Sequence, residues 1–348
     1  MPMEKKELPQ IDRELEALLD KRLAVWGDSE LRENARQLLF CAMEEIDGCG
    51  RMLERENGAG PIPGAGGHSL PRGAVCGCAG VEGAYSHIAC EQAFRDPQIR
   101  FYEQFEDVFH AVRQGEVTFG VVPVENSSAG AVDAVLELVG HSGMYINAAV
   151  SIRVSHCLCV RPDTDLHEVR EVLSHPQALA QCKGFLKERG YTPRRFSNTA
   201  AAAKAVSEST QPLACVCSWR GAQLYGLRVL EQGIEDFTEN YTRFACVSRE
   251  NLLLEGADTV SITLSCPNET GSLNRLLMRF ALCDLNLSKI QSMPIASRDY
   301  SVIFHMDFKG SVRDKKVAAL LRSMSGELEH FRYLGNYPVL FEQPTTEA

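Results

Sequence analysis

Residues 74–250 alternate short apolar strands with amphipathic helices, and this alternation constrains the fold more than any other feature. Ala74–Cys78 precedes a helix predicted from about Tyr85, and Phe119–Val124 precedes one from about Ala131. Such a pattern predicts an α/β fold with a largely parallel sheet. In sheets of this kind, ligands bind beyond the carboxyl ends of the strands, where the helices begin.

The pattern changes on both sides of this segment. Residues 258–341 predict the order β-α-β-β-α-β, which is the ferredoxin-like plan. Residues 8–56 carry two helical apolar stripes; two short helices bury too little surface alone, so we expect a partner subunit or the main body to cover them. Residues 57–73 contain a run rich in glycine and proline and read as a flexible linker.

Charge and hydropathy limit the function classes. The chain of 348 residues carries a net charge of −10, which argues against nucleic acid as a partner because phosphate binding needs a basic face. An anionic substrate must therefore be held by local donors. The first residues lack the apolar core of a signal peptide, and no apolar run is long enough to span a bilayer, so we expect a cytoplasmic protein without a membrane partner.

The chain has 13 cysteines, six of which form three pairs at alternate positions inside apolar runs. Alternate residues of a strand share one face, so each pair can serve as two small core hydrophobes. We expect buried, reduced thiols. The alternative, a metal site, would need closer spacing and ligands from elsewhere. The pairs are Cys76 and Cys78, Cys157 and Cys159, and Cys215 and Cys217.

Several predicted helix starts carry small polar side chains. A helix N-terminus offers free N–H groups and a partial positive charge, so several converging starts would bind a dianion without many lysines. The alternative is that these residues are ordinary caps, and that His175 is an ordinary first-turn histidine. The residues at these starts are Ser86, Asn126, Ser127, Ser128, His175, Gln177 and Thr199.

Three further residues carry reactive or charged groups. Glu125 ends the apolar strand 121–124, so it could lie inside a cleft as an acid or hydrogen-bond donor, or be a paired surface glutamate. Arg243 could grip a carboxylate through two hydrogen bonds, or form a salt bridge with an acidic residue of 235–239. Thr242 is a poor acid in water, so its catalytic role would be that of a placed donor to a leaving hydroxyl.

Five ordered motifs are spread through residues 74–250 and are the strongest pieces of a resemblance that covers nearly all of this segment. They are GVEGAYS (80–86), VVPVENSSAG (121–130), SHPQALAQC (174–182), YGL (225–227) and NYTRF (240–244). On these motifs the segment resembles the prephenate dehydratase family. The resemblance implies two α/β lobes, like a type II periplasmic binding protein, with the active site in the cleft between them. It also implies a carbon–oxygen lyase of L-phenylalanine biosynthesis, which converts prephenate to phenylpyruvate, carbon dioxide and water without a metal or organic cofactor.

The resemblance assigns roles residue by residue. Thr242 matches the essential threonine of the family, and Glu125 is the second catalytic candidate. One departure is Ala84, where the usual pattern has threonine; we expect weakened or rearranged binding, not loss of activity. The substrate-binding candidates are Ser86, Asn126, Ser127, Ser128, His175, Gln177, Thr199, Arg243 and Phe244.

Residues 258–341 resemble the ACT domain that follows this enzyme and senses phenylalanine. The segment Gln291–Pro294 reads QSMP where the family has ESRP, so both charges are lost; the domain could still serve dimerisation. The implied assembly is a homodimer or homotetramer, with L-phenylalanine as the effector. The candidate effector-binding residues are Gly271, Ser272, Leu273, Gln291 and Ser292.

Residues 8–56 resemble a shortened chorismate mutase module. The stretches 11–22 and 38–53 match its first and last helices, but the intervening helix with its substrate-binding lysine is missing. Because mutase chemistry needs cationic and amide donors, we expect a structural remnant. Two alternatives stay open: a bifunctional mutase–dehydratase, which would consume chorismate, and an inactive ligand-binding regulator, favoured by Ala84 and by the altered segment 291–294.

Overall fold

The computed structural model of the protein describes residues 8–24, 29–55, 65–237, 239–294, 302–328 and 330–341. They form two compact units. The smaller unit takes its described residues from Met1–Ile62, Leu264–Phe304 and Phe308–Phe331, and the larger from Pro63–Thr263, His305–Asp307 and Arg332–Ala348.

Helices and strands alternate through most of the described residues. The α-helices are α1 (Leu8–Leu23), α2 (Ser29–Arg55), α3 (Tyr85–Ala93), α4 (Phe105–Gln114), α5 (Asp133–Ser142), α6 (Pro176–Gln181), α7 (Lys183–Glu188), α8 (Thr199–Glu208), α9 (Trp219–Leu224), α10 (Ser272–Leu282) and α11 (Lys315–Glu327). The strands are β1 (Ala65–His68), β2 (Val75–Ala79), β3 (Gln98–Tyr102), β4 (Phe119–Asn126), β5 (Gly130–Ala131), β6 (Tyr145–Arg153), β7 (Cys157–Val160), β8 (Glu171–Ser174), β9 (Thr192–Arg195), β10 (Ala214–Cys217), β11 (Arg228–Gln232), β12 (Tyr241–Ser248), β13 (Leu252–Leu254), β14 (Thr259–Leu264), β15 (Leu287–Pro294), β16 (Val302–Lys309), β17 (Arg332–Tyr337) and β18 (Val339–Phe341).

The larger unit contains two lobes, each built on its own sheet. The first lobe has the strand order β18-β6-β12-β4-β2-β3, with β5 paired to β4, and the second has β11-β7-β10-β8-β9. The prediction of a largely parallel sheet is wrong, because both sheets are mixed. The chain crosses into the second lobe after β6 and returns at β12, so β12 runs antiparallel to both of its neighbours, β4 and β6.

The alternating cysteines lie in the strands and are buried and free, as predicted. Cys76 and Cys78 of β2 belong to the core of the first lobe. In the second lobe, β7 pairs with β10 so that both of their cysteine pairs enter one apolar cluster. Burial in these cores disfavours the thiolate, and it raises the pKa of Cys76 to about 12.

The order β14-α10-β15-β16-α11-β17 is the predicted β-α-β-β-α-β pattern, and its strands form a sheet ordered β15-β16-β14-β17. In the smaller unit, helix α2 packs on α10 and α11, and Glu45 of α2 lies 2.8 Å from Arg279 of α10. Part of the predicted linker, residues 57–64, lies outside the described residues, whereas Ala65–His68 pairs with β13. No helix among the described residues is both long and apolar enough to cross a bilayer.

Candidate active site

A cavity of about 330 Å³ lies in the cleft between the two lobes. Its size falls in the range of small-molecule sites. The first lobe contributes the ends of β2 and β4 and the starts of β12 and α3, and the second contributes the starts of α6 and α8. The polar residues that line it are Tyr85, Ser86, Glu103, Asn126, His156, His175, Gln177, Gln181, Ser197, Asn198, Thr199 and Thr242.

Three helices begin at the wall of this cavity. Ala84 is the N-cap of α3 and makes no side-chain cap bond, so the threonine of the usual pattern would also have capped this helix. His175 caps α6 by accepting a hydrogen bond from the Gln177 backbone N–H at 3.2 Å. Asn198 caps α8 by accepting one from Ala201 at 2.7 Å. The predicted convergence of helix starts is present, although two of the cap side chains are engaged locally.

The charges around the cavity are unusual for a site that would hold an anion. Among the described residues, its lining contains one carboxylate, Glu103, and no lysine or arginine. Any carboxylate that enters must therefore be held by backbone N–H groups and neutral side-chain donors. Burial lowers the pKa of His175, and its Nδ1 accepts from the Gln177 backbone, so the neutral ring presents Nε2–H as a donor.

Asn126, at the end of β4, organises the first-lobe wall. Its Oδ1 accepts the backbone N–H of Ser128 at 3.1 Å and of Ala129 at 2.9 Å, and because these groups only donate, the amide orientation is fixed. Its Nδ2 then donates to Asn240 Oδ1 and to Thr242 Oγ1, both at 2.9 Å. Thr242 Oγ1 is thus an acceptor towards Asn126, which leaves its own hydroxyl hydrogen for another partner.

The hydrogen bonds that involve the Asn126 amide continue across the cleft to the second lobe. Ser128 Oγ donates to Asn126 Oδ1 at 2.7 Å and accepts from Gln181 Nε2 at 2.9 Å. Gln181 Oε1 is therefore free to accept from His156 Nε2, which lies 2.9 Å away. Burial lowers the pKa of His156, and the Glu235 carboxylate accepts the His156 backbone N–H at 2.9 Å. A directed chain of hydrogen bonds thus runs from His156 to Thr242.

Glu125 and Arg243 face away from the cavity, contrary to the expectation that they contribute to it. Successive strand residues point to opposite sides of a sheet, so Thr242 and Phe244 line the cavity while Arg243 between them does not. Arg243 and Glu125 are cross-strand partners, with Arg243 Nη1 3.4 Å from Glu125 Oε2. The alternative of a paired glutamate fits Glu125, and the partner of Arg243 is Glu125, not an acidic residue of 235–239.

Two of the predicted serines shape the turn and do not line the cavity. Ser127 Oγ donates to the Glu239 carbonyl at 3.1 Å and accepts from the Tyr241 backbone N–H at 2.9 Å, which ties the turn to the start of β12. Ser128 acts through Asn126 and Gln181. The cavity lining does contain Thr242 and six of the substrate-binding candidates: Ser86, Asn126, His175, Gln177, Thr199 and Phe244.

The candidate effector residues belong to the smaller unit. Gly271 is the N-cap of α10 with a φ of 85°, a conformation that favours glycine, and it is followed in α10 by Ser272 and Leu273. Gln291 and Ser292 lie in β15. All five residues therefore lie in the same unit, and their role in binding an effector stays a prediction.

Sequence reasoning missed several cavity residues. Gln181 follows Gln177 by four residues, a spacing that puts both on one helical face, so the signal was present. Asn198 directly precedes Thr199, and the preference of asparagine for N-cap positions is the signal that could have found it. His156 and Glu103 carry no sequence signal, because their position depends on how the chain crosses between the lobes and on how β3 ends.

Comparison with known proteins agrees with this geometry. The family model described as prephenate dehydratase matches residues 76–252. An Arabidopsis thaliana protein named arogenate dehydratase/prephenate dehydratase 2, chloroplastic, is 34% identical, with 75% of this chain and 71% of the relative covered. The Escherichia coli bifunctional chorismate mutase/prephenate dehydratase is 29% identical over 77% of this chain and 72% of its own.

A solved structure has the same fold. It is that of a prephenate dehydratase from Arthrobacter aurescens in complex with L-Phe, with a TM-score of 0.70 and 29% identity, covering 76% of this chain and 89% of that one. Its likeness extends beyond the matched family segment to most of the chain. On the family match and these relatives, the chain belongs to the prephenate dehydratase family.

Proposed function

We propose that the cavity between the two lobes converts prephenate to phenylpyruvate, carbon dioxide and water, as a step of L-phenylalanine biosynthesis. Loss of the ring carboxylate as carbon dioxide supplies the electron pair that aromatises the ring, and the ring hydroxyl takes up one proton, drawn in the end from solvent, and leaves as water. The reaction balances without an external oxidant or reductant. The protein has to orient the dianion and assist the departing oxygen.

In this proposal the helix starts of both lobes hold the two carboxylates. A substrate that spans the cleft would put one carboxylate near the start of α3, with Ser86, and the other near the starts of α6 and α8, with His175 and Thr199. These donors are neutral, so binding depends on backbone N–H groups and on helix dipoles in a site that lacks a lining cation within the described chain.

The direction of the Asn126–Thr242 hydrogen bond is the observation that carries the mechanism. Because Asn126 Nδ2 donates to Thr242 Oγ1 at 2.9 Å, the Thr242 hydroxyl hydrogen is left to donate towards the cavity. A donor aimed at the leaving oxygen stabilises the charge that develops as the carbon–oxygen bond breaks. Thr242 is therefore the proposed catalytic residue, and Asn126 is the residue that orients it.

The direct experiment adds prephenate to the purified chain near neutral pH and follows phenylpyruvate formation. We expect turnover; a folded chain that binds prephenate without forming phenylpyruvate would support the inactive-regulator alternative. A parallel assay with arogenate distinguishes the two substrates that appear in the name of the Arabidopsis relative. A third assay with chorismate tests the mutase alternative, and we expect no consumption.

For the remaining segments we propose the roles that the sequence implies. Residues 258–341 would be an ACT domain with L-phenylalanine as effector, and residues 8–56 a structural remnant of a mutase module. The β-α-β-β-α-β order and the packing of α2 on α10 and α11 support these assignments. Repeating the prephenate assay with L-phenylalanine, and measuring the molar mass in solution with and without it, tests effector response and the homodimer or homotetramer together.

A further inference from the structure

The two lobes also touch outside the cavity, where the turn before α3 meets α9. Ser218 Oγ donates to the Gly83 carbonyl at 3.2 Å and accepts from the Gly221 backbone N–H at 3.0 Å. Tyr225 Oη donates to the Glu82 carbonyl at 3.0 Å. We call the group of Glu82, Gly83, Ser218, Gly221 and Tyr225 the Gly83 contact. It includes the tyrosine of the YGL motif, which the proposed chemistry does not use.

Glycine is required on the first-lobe side of this contact. Gly83 has a φ of 84°, which side chains rarely adopt, and a Cβ at this position would lie 3.2 Å from the Gly221 Cα and 3.2 Å from Leu224 Cδ2. Gly221 presents no side chain in return, so the two backbones approach closely. This close approach lets the turn and α9 form both hydrogen bonds between the lobes.

The Gly83 contact is continuous with the cavity wall. Gly80, at the start of the same turn, and Ala84, Tyr85 and Ser86, directly after Gly83, all line the cavity. The facing wall, with His175, comes from the second lobe. A shift at this contact would therefore move the start of α3 relative to the helix starts of the second lobe.

We propose that the Gly83 contact holds the dehydratase cleft closed, with Tyr225 and Ser218 as positioning residues that set the separation of the two substrate-binding walls. The inference rests on the proposed function in so far as prephenate is the molecule that spans the walls. Weakening the contact means that binding must also bring the walls together, which lowers apparent affinity. Thr242 and Asn126 both lie on first-lobe strands, so the chemical step is left largely intact.

The kinetic test uses Tyr225→Phe, which removes the hydroxyl alone. Loss of one such bond is expected to raise the KM for prephenate about fivefold, with kcat within about twofold of the wild type. Ser218→Ala should act in the same direction, and Ser218→Thr should restore the KM because it keeps the hydroxyl. Gln223→Ala, at an exposed position of α9, is the matched control and should leave KM unchanged. An unaltered KM in Tyr225→Phe, or a loss confined to kcat, would overturn the proposal.

A second readout needs no turnover. Trp219, the first residue of α9, is 38% exposed and is one of two tryptophans in the chain. In a Trp26→Phe background, acrylamide quenching of Trp219 in the substrate-free protein should increase when Tyr225→Phe is added and stay constant with Gln223→Ala. Equal quenching in all three proteins would contradict the proposal. A chain that lacks prephenate turnover but shows the quenching difference would refute the proposed function and leave the contact standing.

Discussion

The two faces of strands β4 and β12 each carry a pair of polar side chains, but the two pairs differ in charge and in surroundings. On the cavity face, Asn126 donates a hydrogen bond of 2.9 Å to Thr242 inside a cleft. On the opposite face, Glu125 and Arg243 form an ion pair at 3.4 Å, with each side chain 34% exposed. These four residues are adjacent in two sequence motifs. Residues that are adjacent in a sequence motif therefore need not belong to one site, because successive residues of a strand point to opposite faces of the sheet.

The largest expected effect comes from removing the donor on the cavity face. Thr242→Val keeps the shape of the side chain and removes the hydroxyl, so kcat for prephenate should fall about 10³-fold, a typical value for a group that assists a leaving oxygen. Thermal unfolding and KM serve as controls, since the fold and carboxylate binding should be kept. Thr242→Ser, which retains the hydroxyl, should recover most of the rate.

Asn126→Asp keeps the shape of the side chain and reverses the hydrogen bond between residue 126 and Thr242. A carboxylate cannot donate, so the Thr242 hydroxyl would turn towards residue 126 and away from the cavity. We expect kcat to fall about 10²-fold with a smaller change in KM. The measurement is kcat for this variant and for Asn126→Ala. An unchanged kcat in either variant would show that Asn126 does not orient the Thr242 hydroxyl for catalysis.

Glu125→Gln tests the other face and should have a much smaller effect. The pair is partly exposed, so its loss should cost about 1 kcal/mol or less in unfolding free energy and change kcat by less than about fivefold. Denaturant unfolding and steady-state kinetics on the same preparation measure both quantities. A rate as low as that of Thr242→Val would assign the catalytic acid to Glu125 and reverse the comparison.

The smallest expected effect concerns pH and the buried His156. Burial lowers its pKa below the ordinary value of 6.5, so His156 takes up a proton more readily in the unfolded chain than in the folded chain. The stabilisation is complete above about pH 6.5 and is lost as the pH falls below it. Between about pH 7.5 and about pH 5, the unfolding free energy of His156→Gln should therefore decline less than that of the wild type. Exposed His167→Gln is the control, and equal declines for both variants would contradict a buried neutral His156.

Much of the architecture could be predicted from local patterns. Buried cysteines at alternate positions, the helix starts around the cavity and the β-α-β-β-α-β order all follow from periodicity and capping chemistry, which act over a few residues. Strand direction could not be predicted in this way. Whether β12 runs parallel or antiparallel depends on where the chain re-enters the first lobe, and that is a property of the whole topology.

The site was harder to predict than the fold for a related reason. Strand periodicity already separates Thr242 from Arg243, but it does not say which of them faces the cavity. The pairing of β4 with β12 also shifts register between Arg243 and Phe244. Strict alternation along both strands therefore does not tell which residues share a face of the sheet. His156 enters the cavity only because the chain crosses between lobes at that point.

The most direct measurement compares kcat of Thr242→Val with kcat of Arg243→Gln, two adjacent residues of one strand, in the same prephenate assay. If chemistry belongs to the cavity face, Thr242→Val should be at least about 10²-fold slower than Arg243→Gln, which should stay within about fivefold of the wild type. Equal losses, or a greater loss in Arg243→Gln, would contradict the assignment of catalysis to Thr242 and Asn126.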